Sequence, residues 1–174
     1  DDDIVLMHGD IVFEDKVLDD VMSSVSSCMI VSSTCPLPEK DFKAVVQDGK
    51  VIKVGIEFFD GALEAQAFYK LNKNDWKLWL DKIIEFCESG KTGVYAENAL
   101  NELNGALNIF ALDIQDLLCS EIDDPKDLEI VSAKLKEIRN RTVYMTFSTD
   151  IIHSGHIAII KRAQKLGRLI IGVL

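Results

Sequence analysis

Apolar and polar positions follow one another along this chain in two rhythms, and each rhythm predicts a different element. Short apolar runs predict strands. Ile4–Met7 reads as a buried strand running into the turn His8-Gly9-Asp10 and then Ile11-Val12-Phe13. Cys28–Val31 and Ala65–Leu71 read as buried strands too, and Asn108–Ala111 as a further strand. Phe42–Val46 and Val51–Ile56 flank Asp48-Gly49, which predicts a hairpin, because tight hairpin turns need residues that accept positive φ. Helical spacing relates Val17, Leu18, Val21, Met22 and Val25. The same spacing puts Trp76, Trp79, Leu80, Ile83, Ile84 and Cys87 on one apolar stripe that ends at Gly90, with the tryptophans as core packing. Ala96–Leu103 predicts a shorter helix. Asp124 caps another, with Pro125 at its first position and Leu128, Val131, Leu135 and Ile138 inward to about Arg139.

From Thr142 a second unit begins. Thr142–Phe147 predicts a strand, Ser154–Leu166 a helix closed by Gly167, and Leu169–Leu174 another buried strand. Two parallel strands and one helix bury too little to stand alone. A chain that opens on a core strand and closes on an apolar one is expected to be an internal piece of a longer protein.

Charge places the boundary. The formal net charge is −10 over 174 residues, yet beyond residue 140 five basic residues face one acid. The first 140 residues therefore carry −14 and the remainder +4, with a boundary expected between 139 and 142. An acidic surface disfavours nucleic acid and anionic membranes as partners. Apolar residues make up 48% of the chain, enough for a core, but no run approaches the ~20 residues of a membrane helix. Asp1-Asp2-Asp3 is not a secretory signal, so a cytoplasmic location is expected. The cysteines, at 28, 35, 87 and 119, lack zinc-site spacing and are expected to be buried thiols.

Two constellations carry chemistry. Asp10 ends a strand after Gly9, and Asp123 lies in Glu121-Ile122-Asp123-Asp124. In open α/β sheets ligands bind at the carboxyl ends of strands. Two carboxylates meeting there would hold Mg²⁺ and leave its other positions to phosphates and water. Gly-Asp and Asp-Asp-Pro are also common turn and helix-start sequences.

The second constellation is His153-Ser154-Gly155-His156, between a strand and a helix. The free N–H groups and positive dipole end of a helix N-terminus suit phosphate. Gly155 lets a ligand approach the backbone. The imidazoles can donate to charge developing on the α- and β-phosphates, so His153 and His156 are the candidate catalytic pair.

Together these segments carry a resemblance. Val5-Leu6-Met7-His8-Gly9-Asp10-Ile11-Val12-Phe13, the Asp48-Gly49 hairpin, Tyr69-Lys70-Leu71, Tyr95-Ala96-Glu97-Asn98-Ala99-Leu100 and Glu121-Ile122-Asp123-Asp124-Pro125 resemble GT-A-fold nucleotidyltransferases, in particular the phosphocholine and aminoethylphosphonate cytidylyltransferase-like group. The resemblance implies Mg²⁺ on Asp10 and Asp123, and Glu97 and Asn98 near the acceptor. That family's glycine-rich triphosphate loop does not occur in this sequence, which implies weak nucleotide binding by the first unit. Residues 142–174 resemble the opening of the His-x-Gly-His cytidylyltransferases, with Phe147-Ser148-Thr149-Asp150 in place of the usual Gly-Thr-Phe-Asp. This implies nucleotide contacts at Phe147, Ser148, Asp150 and Gly155. Arg168 stands where that family often has an acid.

The expected fold class is thus α/β: a partial GT-A-like, Rossmann-like domain at 1–139, then one β-α-β of a His-x-Gly-His domain at 140–174. The expected activity is transfer of CMP from CTP to a small phosphorylated or phosphonate acceptor with Mg²⁺. The order of the two units also resembles phosphonate-pathway phosphoenolpyruvate mutase fusions, which leaves an isomerase parent as an alternative. A third is an inactive nucleotide-binding or scaffold piece. Homo-oligomerisation stays open.

Overall fold

The computed structural model describes residues 2–103, 106–148 and 151–173. It divides into two compact units, 1–121 and 122–174. The charge-based boundary lies within the second of these, at the end of its first helix.

The first unit is built on a six-stranded sheet. Its strands are β1 (Ile4–Met7), β3 (Cys28–Ser32), β4 (Lys43–Gln47), β5 (Lys50–Gly55), β6 (Ala62–Leu71) and β7 (Phe110–Asp113). The order is β1-β6-β3-β7-β5-β4, and β4 also pairs with β6, so five strands close a circuit. Only β3 and β7 run parallel, and the other pairs are antiparallel. A small second sheet pairs β2 (Ile11–Phe13) with β8 (Cys119–Glu121), antiparallel, Ile11 opposite Glu121. Three helices complete the unit: α1 (Asp15–Ser23), α2 (Lys73–Glu88) and α3 (Ala96–Glu102).

Side-chain alternation on β6 sorts the core into two layers. Ala65, Ala67, Tyr69 and Leu71 face one cluster, with Trp79 and Phe86 of α2 and Ala99 and Leu100 of α3. Phe68 faces the other, with Val17 and Val21 of α1, Ile11 and Cys119. The Asp48-Gly49 turn forms as expected. Both residues have positive φ, 51° and 76°, and Gln47 pairs with Lys50 across it.

Several expectations are corrected. β1 is not buried: Val5, Leu6 and Met7 are exposed, because β1 is a sheet edge with β6 as its one neighbour. The α2 stripe is narrower than its spacing predicts. Trp79 and Phe86 are buried, and Trp76 and Ile83 pack against the core, but Leu80, Ile84 and Cys87 are exposed. Only Cys28 and Cys119 are buried thiols, and all four cysteines are free. The strand expected from Asn108 starts at Phe110, and β8 had no predicted counterpart.

In the second unit, α4 (Pro125–Asn140) leads into β9 (Thr142–Phe147), α5 (Ser154–Gln164) and β10 (Arg168–Val173). β9 and β10 pair in parallel from Thr142↔Arg168 to Phe147↔Val173, the expected β-α-β. Asp124 caps α4 with its side chain, accepting from the Lys126 and Asp127 N–H groups at 2.7 and 3.1 Å. The expected burial of β10 is corrected. Ile170, Ile171 and Val173 are exposed, because a two-stranded sheet with one crossover helix leaves apolar surface uncovered. Leu128 is exposed as well, and Val131 is the buried residue of α4. Among the described residues no helix is long and apolar enough to cross a membrane.

Candidate functional site

Asp10 sits in the turn between β1 and β2, exposed. Two side chains join it. His8 leaves the end of β1, where its backbone N–H donates to the Ala67 carbonyl of β6 at 3.0 Å. Glu121 ends β8, which the β2 pairing brings alongside. The His8 Nδ1 and Glu121 Oε1 atoms are 3.0 Å apart, and ligand atoms of His8, Asp10 and Glu121 all lie within 4.8 Å of one another. An imidazole and two carboxylates at this spacing match the donor chemistry of a divalent cation. Sequence reading identified Asp10 but neither partner. Their approach depends on pairing between strands more than a hundred residues apart in sequence.

Asp123 is exposed and is the second residue of the second unit. Its backbone N–H donates to Asp127 Oδ2 at 3.2 Å, while Asp124, not Asp123, carries the side-chain cap. Its carboxylate is therefore not consumed by the cap.

Glu97 and Asn98 begin α3 and each has a structural occupation. Glu97 is 4% exposed and accepts from the Tyr69 hydroxyl at 3.0 Å. Burial, first, and then the Glu97 charge push the Tyr69 phenol well above its usual range. The Asn98 side chain accepts from the Tyr95 N–H at 3.0 Å and braces the helix start.

In the second unit the histidines cap their own helix. The Gly155 N–H donates to His153 Nδ1 at 3.1 Å, and the His153 N–H reaches His156 Nδ1 at 3.5 Å. The two rings stack with centroids 4.0 Å apart, and Phe147 packs on His156 at 4.8 Å. A neutral imidazole that accepts at Nδ1 carries its proton on Nε2. The caps thus turn both rings into Nε2–H donors at a helix N-terminus. Gly155 has a local reason to be glycine besides ligand access: a Cβ there would meet His153 Cε1 at 2.9 Å. Ser148 is exposed just beyond β9. Asp150 lies outside the described residues.

No protein-family model matches the chain, and no curated protein matches it. Solved structures do. The chain is similar to the inositol-1-phosphate CTP transferase from T. maritima, at 20% identity and TM-score 0.58, covering 79% of this chain and 56% of that one. It is similar to a protein from Bacillus anthracis assigned as a glucose-1-phosphate thymidylyltransferase, at 15% identity and TM-score 0.59, with the same coverage. It is similar to the CTP:phosphocholine cytidylyltransferase from Streptococcus pneumoniae, at 13% identity and TM-score 0.55, covering 75% and 57%. The chain therefore has the α/β fold of these nucleotidyltransferases, and it spans 56–57% of their length. None of the three is a phosphoenolpyruvate mutase.

Proposed function

We propose that this chain serves nucleotidyl transfer, moving CMP from CTP to a small phosphate- or phosphonate-bearing acceptor. The observation that carries the reading is the His8–Asp10–Glu121 cluster at the end of β1, in a fold shared with two transferases named for CTP. An acceptor oxygen attacks the α-phosphorus, the bond from that phosphorus to the bridging oxygen breaks, and pyrophosphate leaves with the electron pair.

Asp10 and Asp123 would hold Mg²⁺, and the donor set around Asp10 fits a divalent cation. An ion held there would supply positive charge against the triphosphate. The residues of the chain do the remaining work by position. The second unit handles nucleotide on its own: the Nε2–H groups of His153 and His156, with the free N–H groups that start α5, donate there to α- and β-phosphate oxygens. Phe147, Ser148 and Gly155 contact the nucleotide, and Asp150, outside the described residues, is assigned the same role from its place in the sequence. Glu97 and Asn98 belong to the acceptor side. Glu97 acts there through Tyr69, and Asn98 by bracing Tyr95. The functional division in this reading is 1–139 and 140–174, which assigns α4 to the first function although it belongs to the second compact unit; the working location is the cytoplasm, and neither nucleic acid nor membrane is a partner.

Calorimetric titration with Mg·CTP and Mg·ATP tests the reading, beside a D10A/D123A variant and an H153A/H156A variant. Saturable CTP binding weakened at least about tenfold by the H153A/H156A pair is the expected result, with any weaker binding by the first unit weakened by D10A/D123A. No binding at nucleotide concentrations on the order of 1 mM, or binding indifferent to both variants, would overturn it.

A further inference from the structure

We infer that His8 is a metal ligand and that it tunes the cation site around Asp10 toward first-row transition ions, for which Mn²⁺ serves as the probe, and away from Mg²⁺. The inference deepens the proposed function, and it rests on that reading only for the presence of a divalent ion at Asp10.

Donor chemistry comes first. Mg²⁺ binds almost wholly through oxygen and gives up water reluctantly. Imidazole nitrogen suits the later divalent ions of the first transition row, and affinity for mixed nitrogen and oxygen sites rises from Mn²⁺ onward. A site built for Mg²⁺ alone has no use for an imidazole, yet here one sits among the carboxylates.

Geometry comes second. Metal–ligand bonds of about 2.1 Å place neighbouring ligands of an octahedron about 3.0 Å apart and opposite ones about 4.2 Å apart. His8 Nδ1 and Glu121 Oε1 are separated by 3.0 Å, and the whole set lies within 4.8 Å. The contact is thus already the length of an octahedral edge. The His8 backbone N–H is held by the Ala67 carbonyl of β6, which fixes where its side chain starts.

The test uses the metals alone on the whole chain. Mn²⁺ is titrated by calorimetry and by its paramagnetic resonance spectrum, then displaced with Mg²⁺. The variants are His8→Gln and, as a control that leaves the imidazole in place, Glu121→Gln. Circular dichroism reports that each variant is folded. The inference expects one Mn²⁺ held at least about tenfold more tightly than Mg²⁺. It expects nitrogen coupling to the bound Mn²⁺ in pulsed resonance spectra. His8→Gln should abolish that coupling and lower Mn²⁺ affinity about tenfold or more, with Mg²⁺ affinity little changed. Glu121→Gln should weaken Mn²⁺ but keep the nitrogen coupling. Equal affinity for the two ions, absence of nitrogen coupling, or Mn²⁺ affinity untouched by His8→Gln would each overturn the inference. Metal binding of the expected kind in a chain that fails to bind CTP would uphold it while overturning the proposed function.

Discussion

The Gly155 N–H donates to His153 Nδ1 at 3.1 Å, so the first histidine of the His-x-Gly-His turn is the N-cap of the helix it precedes. One contact thereby sets both the start of α5 and the tautomer of a candidate catalytic ring. Gly155→Ala tests the coupling, because the added methyl would lie 2.9 Å from His153 Cε1. The ring must swing away, and the cap is lost at a cost of about 1 kcal/mol. Nitrogen-detected NMR should find both imidazoles protonated at Nε2 in the parent chain, and His153 in mixed tautomers in the variant.

Tyr69 and Glu97 tie β6 to α3 within the core of the first unit. Tyr69→Phe removes the hydroxyl and leaves a buried carboxylate without that donor. It should destabilise the protein by about 1–3 kcal/mol in urea denaturation. Glu97→Gln keeps an acceptor in place and should cost less.

Cys119 predicts a pH dependence. Burial, then the charges of Glu64 and Glu121, push its thiol from 9.0 up to about 12. The native state keeps this proton where the unfolded chain loses it. The stability it contributes is complete below pH 9 and is lost as pH rises through 12. A urea midpoint measured across that window should fall more steeply in the parent than in Cys119→Ala. Thiol labelling at neutral pH should modify exposed Cys87 first and spare Cys28 and Cys119.

Asp75, at the third position of α2, is 9% exposed and closes a buried polar junction. It accepts from the Ser27 hydroxyl and, at 3.4 Å, from the Asn108 N–H, while the Ser27 oxygen accepts from the Asn72 N–H at 2.8 Å. Asp75→Ala should cost about 2 kcal/mol. Its effect should be non-additive with Ser27→Ala in a double-mutant cycle, because the two share one network.

Legibility followed the range of the interaction. The Asp48-Gly49 hairpin and the Asp124-Pro125 helix start were readable because each depends on neighbours a few residues apart, and the β-α-β of the second unit because each of its elements shows its own local pattern. β8 escaped notice since Cys119–Glu121 is only three residues long and shows no period. The exposure of Leu80 and Ile84 was not readable either. Helical spacing gives the side of a helix, but the width of the buried stripe depends on what covers it.

The same division holds at the candidate sites. By its order of residues alone the chain determined that Asp10 lies in a turn after a strand, that two histidines start a helix, and that acids crowd the first 140 positions. Those are facts of backbone propensity and composition, settled within a few bonds. Tertiary structure alone decided that His8 and Glu121 stand beside Asp10 and that Glu97 is held by Tyr69. Each of these needs pairing register, packing or ring orientation. Those quantities arise when distant segments exclude water together, and no local pattern encodes them.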